Sequence, residues 1–134
     1  MSTMLITAVW VNEDEISIPS VVSWTDEDPL TVTVKFLAKS GLEAWVFGRD
    51  LIADALDDSS PLRWHGEGDV RVARGVKRPG LDNTLQLCLR TPAGSAFLRT
   101  DGQTIRDFLD GTYREVARGA EELAIDDALA RILG

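Results

Sequence analysis

The residues best suited to chemistry are few and scattered. The chain has one histidine, His65, and one cysteine, Cys88. Catalysis of the Ser–His or Cys–His kind needs a nucleophile, a base and a third group that orients the base. Nothing near His65 supplies them, so His65 reads as a surface or hydrogen-bonded residue. Zinc sites draw on several Cys and His ligands at short spacings, which this composition does not offer. Asp50, Asp54, Asp57 and Asp58 could hold Mg²⁺ against a phosphate, but their spacing is that of the solvated face of one helix. Gly66-Glu67-Gly68 precedes a strand, whereas phosphate loops lead from a strand into a helix. No Walker or dinucleotide motif occurs. The expectation is a protein that is not an enzyme and needs no cofactor, metal or nucleotide.

Aromatic and basic residues carry more information. Trp10 and Trp45 lie in strand-like segments, as core or interface residues. Trp24 ends a strand, and Trp64 lies in a glycine-flanked connector outside any periodic apolar face. The chain has a net charge of −8, yet residues 63–99 carry seven basic residues against three acidic ones. That asymmetry suits docking of a charged partner. The overall acidity argues against generic nucleic-acid binding, which rests on clustered positive charge, and against an anionic membrane surface. A lone cysteine fits a reducing cytosol. The sequence shows no signal peptide pattern and no apolar run of the roughly 20 residues that a membrane helix needs.

The 134 residues, with 44% apolar and 27% charged, fit one domain. Residues 3–12 predict a strand apolar on both faces, with Leu5, Val9 and Val11 on one and Ile6, Ala8 and Trp10 on the other. Leu5, Ile6 and Trp10 are therefore candidates for a contact between copies of the chain. Glu13-Asp14-Glu15 is a turn. A second strand covers 16–24, with Pro19 placing its first half at an edge or bulge. Residues 25–29 form a loop, 30–38 a half-buried strand, Lys39-Ser40-Gly41 a hairpin turn, and 42–48 the returning strand. The period then changes to that of a helix over 49–58, where Asp50 can satisfy free N–H groups of the first turn. A connector spans 61–68. Strands follow at 70–73, 85–90 and 95–100, with a loop at Lys77-Arg78-Pro79-Gly80 and a hairpin turn at Thr91-Pro92-Ala93-Gly94. Asp101 caps a helix bearing Ile105, Phe108, Leu109, Thr112 and Val116 on one face. An irregular loop at 117–122 leads to a last helix capped by Asp126, with Ile125, Ala128, Leu129, Ile132 and Leu133 on one side. The order ββββα then βββαα, with strands in neighbouring hairpins, predicts an α+β fold on antiparallel sheets.

These segments carry a family resemblance. Trp45-Val46-Phe47-Gly48-Arg49-Asp50-Leu51 is similar to a strand-to-helix motif of the SsgA-like family, the small sporulation and cell-division regulators of filamentous actinobacteria. Asp28-Pro29, Gly68-Asp69-Val70-Arg71-Val72, Pro92-Ala93-Gly94, Phe108-Leu109 and Asp126-x-x-Leu129-x-x-Ile132-Leu133 follow in family order from about Ile16 to Leu133. Two departures are local. Trp24 stands where a Tyr is usual, and Ala117-Arg118-Gly119 replaces Pro-Pro-Gly. The resemblance implies a fold like those of Whirly and guide-RNA-binding proteins, assembled as a trimer. It also implies a non-enzymatic cytoplasmic role at the division septum, where the tubulin-like protein FtsZ is localised together with other SsgA-like proteins. Two other readings remain open: a single-stranded nucleic-acid-binding regulator, and a regulator of cell-wall remodelling.

The expected sites follow. Trp45, Phe47, Arg49 and Asp50 form a structural motif. Partner docking falls on exposed apolar residues with Trp64 as anchor and Arg71, Arg74, Lys77 and Arg78 as a steering rim.

Overall fold

A computed structural model describes residues 2–11, 15–38, 41–77, 80 and 83–133. The expected turns at 13–15 and 39–41 and the loop at 77–80 lie partly outside them, and Arg78 wholly so.

Seven strands form one antiparallel sheet: β1 (Ser2–Trp10), β2 (Ile16–Thr25), β3 (Asp28–Ala38), β4 (Gly41–Gly48), β5 (Val70–Arg74), β6 (Thr84–Thr91) and β7 (Gly94–Asp101). The spatial order is β4-β3-β2-β1-β7-β6-β5. Each block is a meander, and the two blocks meet at a narrow seam. There Val9 faces Arg99 and Trp10 faces Leu98. The seam is extended by Val11 N–H donating to the Phe97 carbonyl at 2.8 Å. Pro19 sits where β2 pairs with β1, outside the described β2–β3 ladder, which starts at Ser20 opposite Phe36. An unpaired strand edge of this kind is where proline is tolerated in a sheet. The expected loop at 25–29 shrinks to a two-residue turn at Asp26 and Glu27. Thr31 Oγ1, donating to Asp28 Oδ2 at 2.7 Å, ties the start of β3 to that turn.

Three helices complete the chain: α1 (Arg49–Asp57), α2 (Gly102–Glu115) and α3 (Glu121–Leu133). Strand parity decides which face α1 and α2 cover. Ile6, Ala8, Val22, Val32, Val34, Phe47, Leu85, Leu87 and Leu98 point inward and pack with Ile52, Leu56, Ile105, Phe108 and Leu109. Asp101 caps α2 as expected, accepting from Gln103 N–H at 3.0 Å. Ile6 is a correction. Only 8% exposed, it belongs to the chain's own core and is not free for contact between copies. Leu5, on the opposite face, is 81% exposed. The backbone of Trp10 lies in β1, while its side chain is outside the described set.

The strand-to-helix junction buries a charge. Arg49 is 0% exposed. Its guanidinium donates to the Val116 carbonyl at 2.8 Å and to Glu121 Oε1 at 2.9 Å, with Thr112 Oγ1 at 3.5 Å. The guanidinium carbon lies 4.1 Å from the Tyr113 ring centre and 5.7 Å from that of Trp24. Asp50 does not cap α1: the cap position, Gly48, has no side-chain bond. Its carboxylate instead accepts from Tyr113 Oη at 2.6 Å and pairs with Arg118 at 3.3 Å. Burial, and then that bond, push the Tyr113 hydroxyl above its ordinary pKa.

Helix α3 starts five residues before the expected cap at Asp126, because Glu121 is the residue that meets Arg49. Its carboxylate also accepts Gly119 N–H at 2.7 Å. Its own N–H first, then Arg49, then Gly119 hold its pKa below the usual carboxylate range, against the opposing effect of burial.

Arg49→Ala is expected to cost about 3–5 kcal/mol in denaturant unfolding, the scale of breaking a buried pair. Arg49→Lys should also destabilise, since an ammonium cannot reproduce a planar fork stacked on two rings. Glu121 has a depressed folded pKa. Its contribution is present above the ordinary Glu value of about 4.3 and is lost as pH falls through the lower folded value. Glu121→Gln should therefore flatten the acid side of the stability–pH curve in urea titrations. An unchanged acid side would remove Glu121 from this role.

Candidate functional site

The connector between α1 and β5 is tied down on both sides. Leu62 N–H donates to the Arg74 carbonyl at 2.7 Å, and His65 and Val72 exchange backbone bonds of 2.7 and 3.0 Å. Asp58 Oδ1 accepts Ser60 N–H at 2.9 Å. His65 Nε2 lies 2.8 Å from Asp58 Oδ2, where it donates, a carboxylate being only an acceptor. The Ser60 N–H, and then His65, hold the Asp58 pKa below the usual carboxylate range. Gly66 closes the connector at φ +108°, and a Cβ there would stand 2.8 Å from the Val70 carbonyl oxygen. His65 is thus a hydrogen-bonded staple.

Between these anchors the chain presents Trp64, 37% exposed, against Phe97 with ring centres 6.1 Å apart and planes at 57°. The tilt and distance are those of a favourable aromatic pair. Register supplies the rest. Arg71 on β5 lies opposite Cys88 on β6, and Cys88 lies opposite Phe97 on β7. Arg90 follows two residues along β6 on the same face. Trp64, Asp69, Arg71, Cys88, Arg90 and Phe97 thereby line a cleft of about 230 Å³ on the sheet face away from α1 and α2.

The expected docking residues separate. Trp64 and Arg71 come together here. Arg74 does not join them, because its guanidinium is held by the carbonyls of Asp58 and Ser59, each at 2.7 Å. Lys77 is exposed beyond the end of β5. Arg90 and Phe97 were absent from the expected set. Their signal was parity: Leu85, Leu87, Leu89 and Leu98 fill the inner face, which turns Arg90 and Phe97 outward.

The four aspartates around α1 are occupied by ion pairs. Arg118 reaches Asp54 in a fork of 2.7 and 3.1 Å, and that bond lowers the Asp54 pKa. Asp57 pairs with Arg106. Among the described residues no group of three or more His, Cys, Asp or Glu is placed to hold a metal ion. A second cleft, of about 280 Å³, is mainly apolar and runs beside Trp45, Phe36, Leu89 and Leu98. Trp45 is half-buried between this cleft and the core.

These features define an α+β protein with a curled seven-stranded antiparallel sheet backed by helices. Residues 18–121 match the family described as Streptomyces sporulation and cell division protein, SsgA. The chain belongs to that family. It is 38% identical over 109 residues to the sporulation-specific cell division protein SsgB of Saccharopolyspora erythraea, covering 79% of this chain and 72% of the relative. A solved structure reported as "Mutations in SsgB correlate to longitudinal cell division during sporulation of Streptomyces coelicolor" superposes with a TM-score of 0.78. The identity is 27%, with 91% of this chain and 93% of that one covered. The crystal structure of an SsgA-like sporulation-specific cell division protein from Thermobifida fusca shares the fold with a TM-score of 0.81 at 22% identity, over 98% and 93% of the two chains. No helix among the described residues is long and apolar enough to cross a membrane.

His65→Ala should loosen the connector without unfolding the sheet. Faster amide hydrogen exchange at Leu62 and Val72 is expected, with a change in global stability within about 1 kcal/mol, as for one part-exposed hydrogen bond. Unchanged exchange at both amides would show that the backbone bonds alone hold Trp64 in place.

Proposed function

We propose that the chain is a non-enzymatic adaptor of sporulation-specific cell division. It acts in the cytoplasm at the division septum as a homotrimer. There it helps to localise FtsZ together with other SsgA-like proteins. The observation that carries this reading is the kinship with SsgB proteins named for sporulation-specific division, 38% identical in the case above.

Surface physics supports self-association. Leu5 and Leu133 are each 81% exposed, and Leu123, Leu129 and Ile132 on α3 are also exposed in the single chain. Contact between copies would remove such side chains from water, and interface cores are depleted in charge. Whether Leu5 and the α3 stripe meet is decided by the symmetry of the assembly.

The test has two arms. Light scattering should give the mass of three chains, and Leu5→Asp together with Leu133→Asp should shift it toward one. Co-sedimentation with GTP-assembled FtsZ filaments should bring the protein down. A fluorescent fusion should form ladders at sporulation septa. A monomer would overturn the trimer. Absence from both filaments and septa would overturn the adaptor role.

A further inference from the structure

We infer that the Trp64–Phe97 cleft is a docking site for a short acidic protein segment that inserts one apolar or aromatic side chain between the arginines. The inference rests on the adaptor reading and names the chemistry by which such an adaptor would hold its partner.

Three observations carry it. The first is unpaired positive charge. Arg71 and Arg90 are both exposed, and neither has an ion-pair partner among the described residues. Of the other described arginines, Arg49, Arg63, Arg99, Arg106, Arg118 and Arg131 pair with carboxylates and Arg74 is held by two carbonyls, while Arg114 on α2 is also exposed without an ion pair. On a chain of net charge −8, two free guanidiniums beside two exposed rings mark where a carboxylate-bearing partner meets attraction. A guanidinium binds a carboxylate through two parallel bonds.

The second observation is size. At about 230 Å³ the cleft is smaller than the roughly 300–1,000 Å³ of small-molecule pockets. It suits a single large side chain, and aromatic walls make such a position an anchor.

The third is rigidity. Arg71, Cys88 and Phe97 stand on three hydrogen-bonded strands. Trp64 is fixed by the connector bonds and the His65–Asp58 staple. Docking onto such a wall loses little conformational freedom.

A single-stranded nucleic acid would also stack on exposed rings. Its phosphates, however, need a continuous basic track. Here Asp69 lies in the same cleft, and the chain outside 63–99 is strongly acidic. A peptide with two or three carboxylates around one ring fits; a polyanion does not.

The experiment pans a phage-displayed library of random short peptides against the full-length protein, against Arg71→Glu/Arg90→Glu, and against Phe97→Ala. All three targets are first checked for unchanged circular dichroism and oligomeric state. Wild type should enrich peptides with acidic residues flanking Phe, Trp or Leu. Affinity of the enriched peptides should fall at least about 10-fold on the charge reversal, as for loss of close charge pairs, and should also fall on Phe97→Ala. No enrichment, enrichment without acidic bias, or binding that survives both variants overturns the site. Displacement of the peptides by a labelled oligothymidylate that binds more tightly transfers the cleft to nucleic acid. A change of oligomeric state in either variant assigns the face to contact between copies and also overturns it. FtsZ co-sedimentation separates the two readings. If it persists in the charge-reversed variant, the adaptor role stands and the cleft is excluded. If it is absent in wild type while the acidic peptides bind, the cleft stands with another partner.

Discussion

One buried guanidinium sets the geometry of this chain. Arg49 is fully removed from water, and a cation in that position is tolerated only when paired and hydrogen-bonded. Every group that satisfies it comes from far along the chain: Thr112 and Tyr113 near the end of α2, the Val116 carbonyl just past it, Glu121 at the start of α3, and the Trp24 ring at the end of β2. The two rings add cation–π attraction of about 0.5–2 kcal/mol each. The arginine therefore joins the first strand block, the helix that crosses it and the C-terminal third of the chain. Because Nε finds no partner, the site is not over-satisfied. Loss of any one acceptor would leave a larger uncompensated charge.

The same constraint explains the motif by which the chain resembles its family. In Trp45-Val46-Phe47-Gly48-Arg49-Asp50-Leu51, Phe47 is core, Arg49 is the buried cation and Asp50 holds Tyr113 and Arg118. This stretch assembles the scaffold. The two departures from the family pattern touch the same place. Trp24 stacks over Arg49 and donates its indole N–H to the Pro29 carbonyl at 3.1 Å. Arg118 clamps the loop at 117–120 onto α1 through Asp50 and Asp54. Exposed pairs of this kind contribute little and weaken with salt.

Local physics made most elements legible. The change from period 2 to period 3.6 after Gly48 marks α1, and Asp101 is the helix cap it resembles. Legibility ended where a residue's role depends on distant partners. Asp126 is a good local cap, yet α3 starts at Glu121 because a cation seventy-two positions away in sequence requires it. Strand 3–12 is apolar on both faces, so alternation separated Leu5 from Ile6 without telling which face the helices cover. Arg74 reads as part of a basic run, but the carbonyls that end α1 take its guanidinium. The pairing of Cys88 with Phe97 was within reach, since the hairpin turn at Pro92 and Ala93 fixes that register. The pairing of Arg71 with Cys88 was not, because the β5–β6 register is not set by a tight turn.

The scaffold and the exposed cleft lie on opposite faces of one sheet, and that separation has an electrostatic consequence. Outside residues 63–99 the chain is strongly acidic. An acidic partner is repelled over most of the surface and attracted where exposed cations such as Arg71 and Arg90 stand without an ion pair. Repulsion elsewhere narrows the productive approaches and so raises specificity. Two exposed charges, screened at physiological salt over about 8 Å, add little affinity by themselves. Tight binding must come from apolar contact. On this sheet face the aromatic wall of Trp64 and Phe97 brings ring contact and positive charge together.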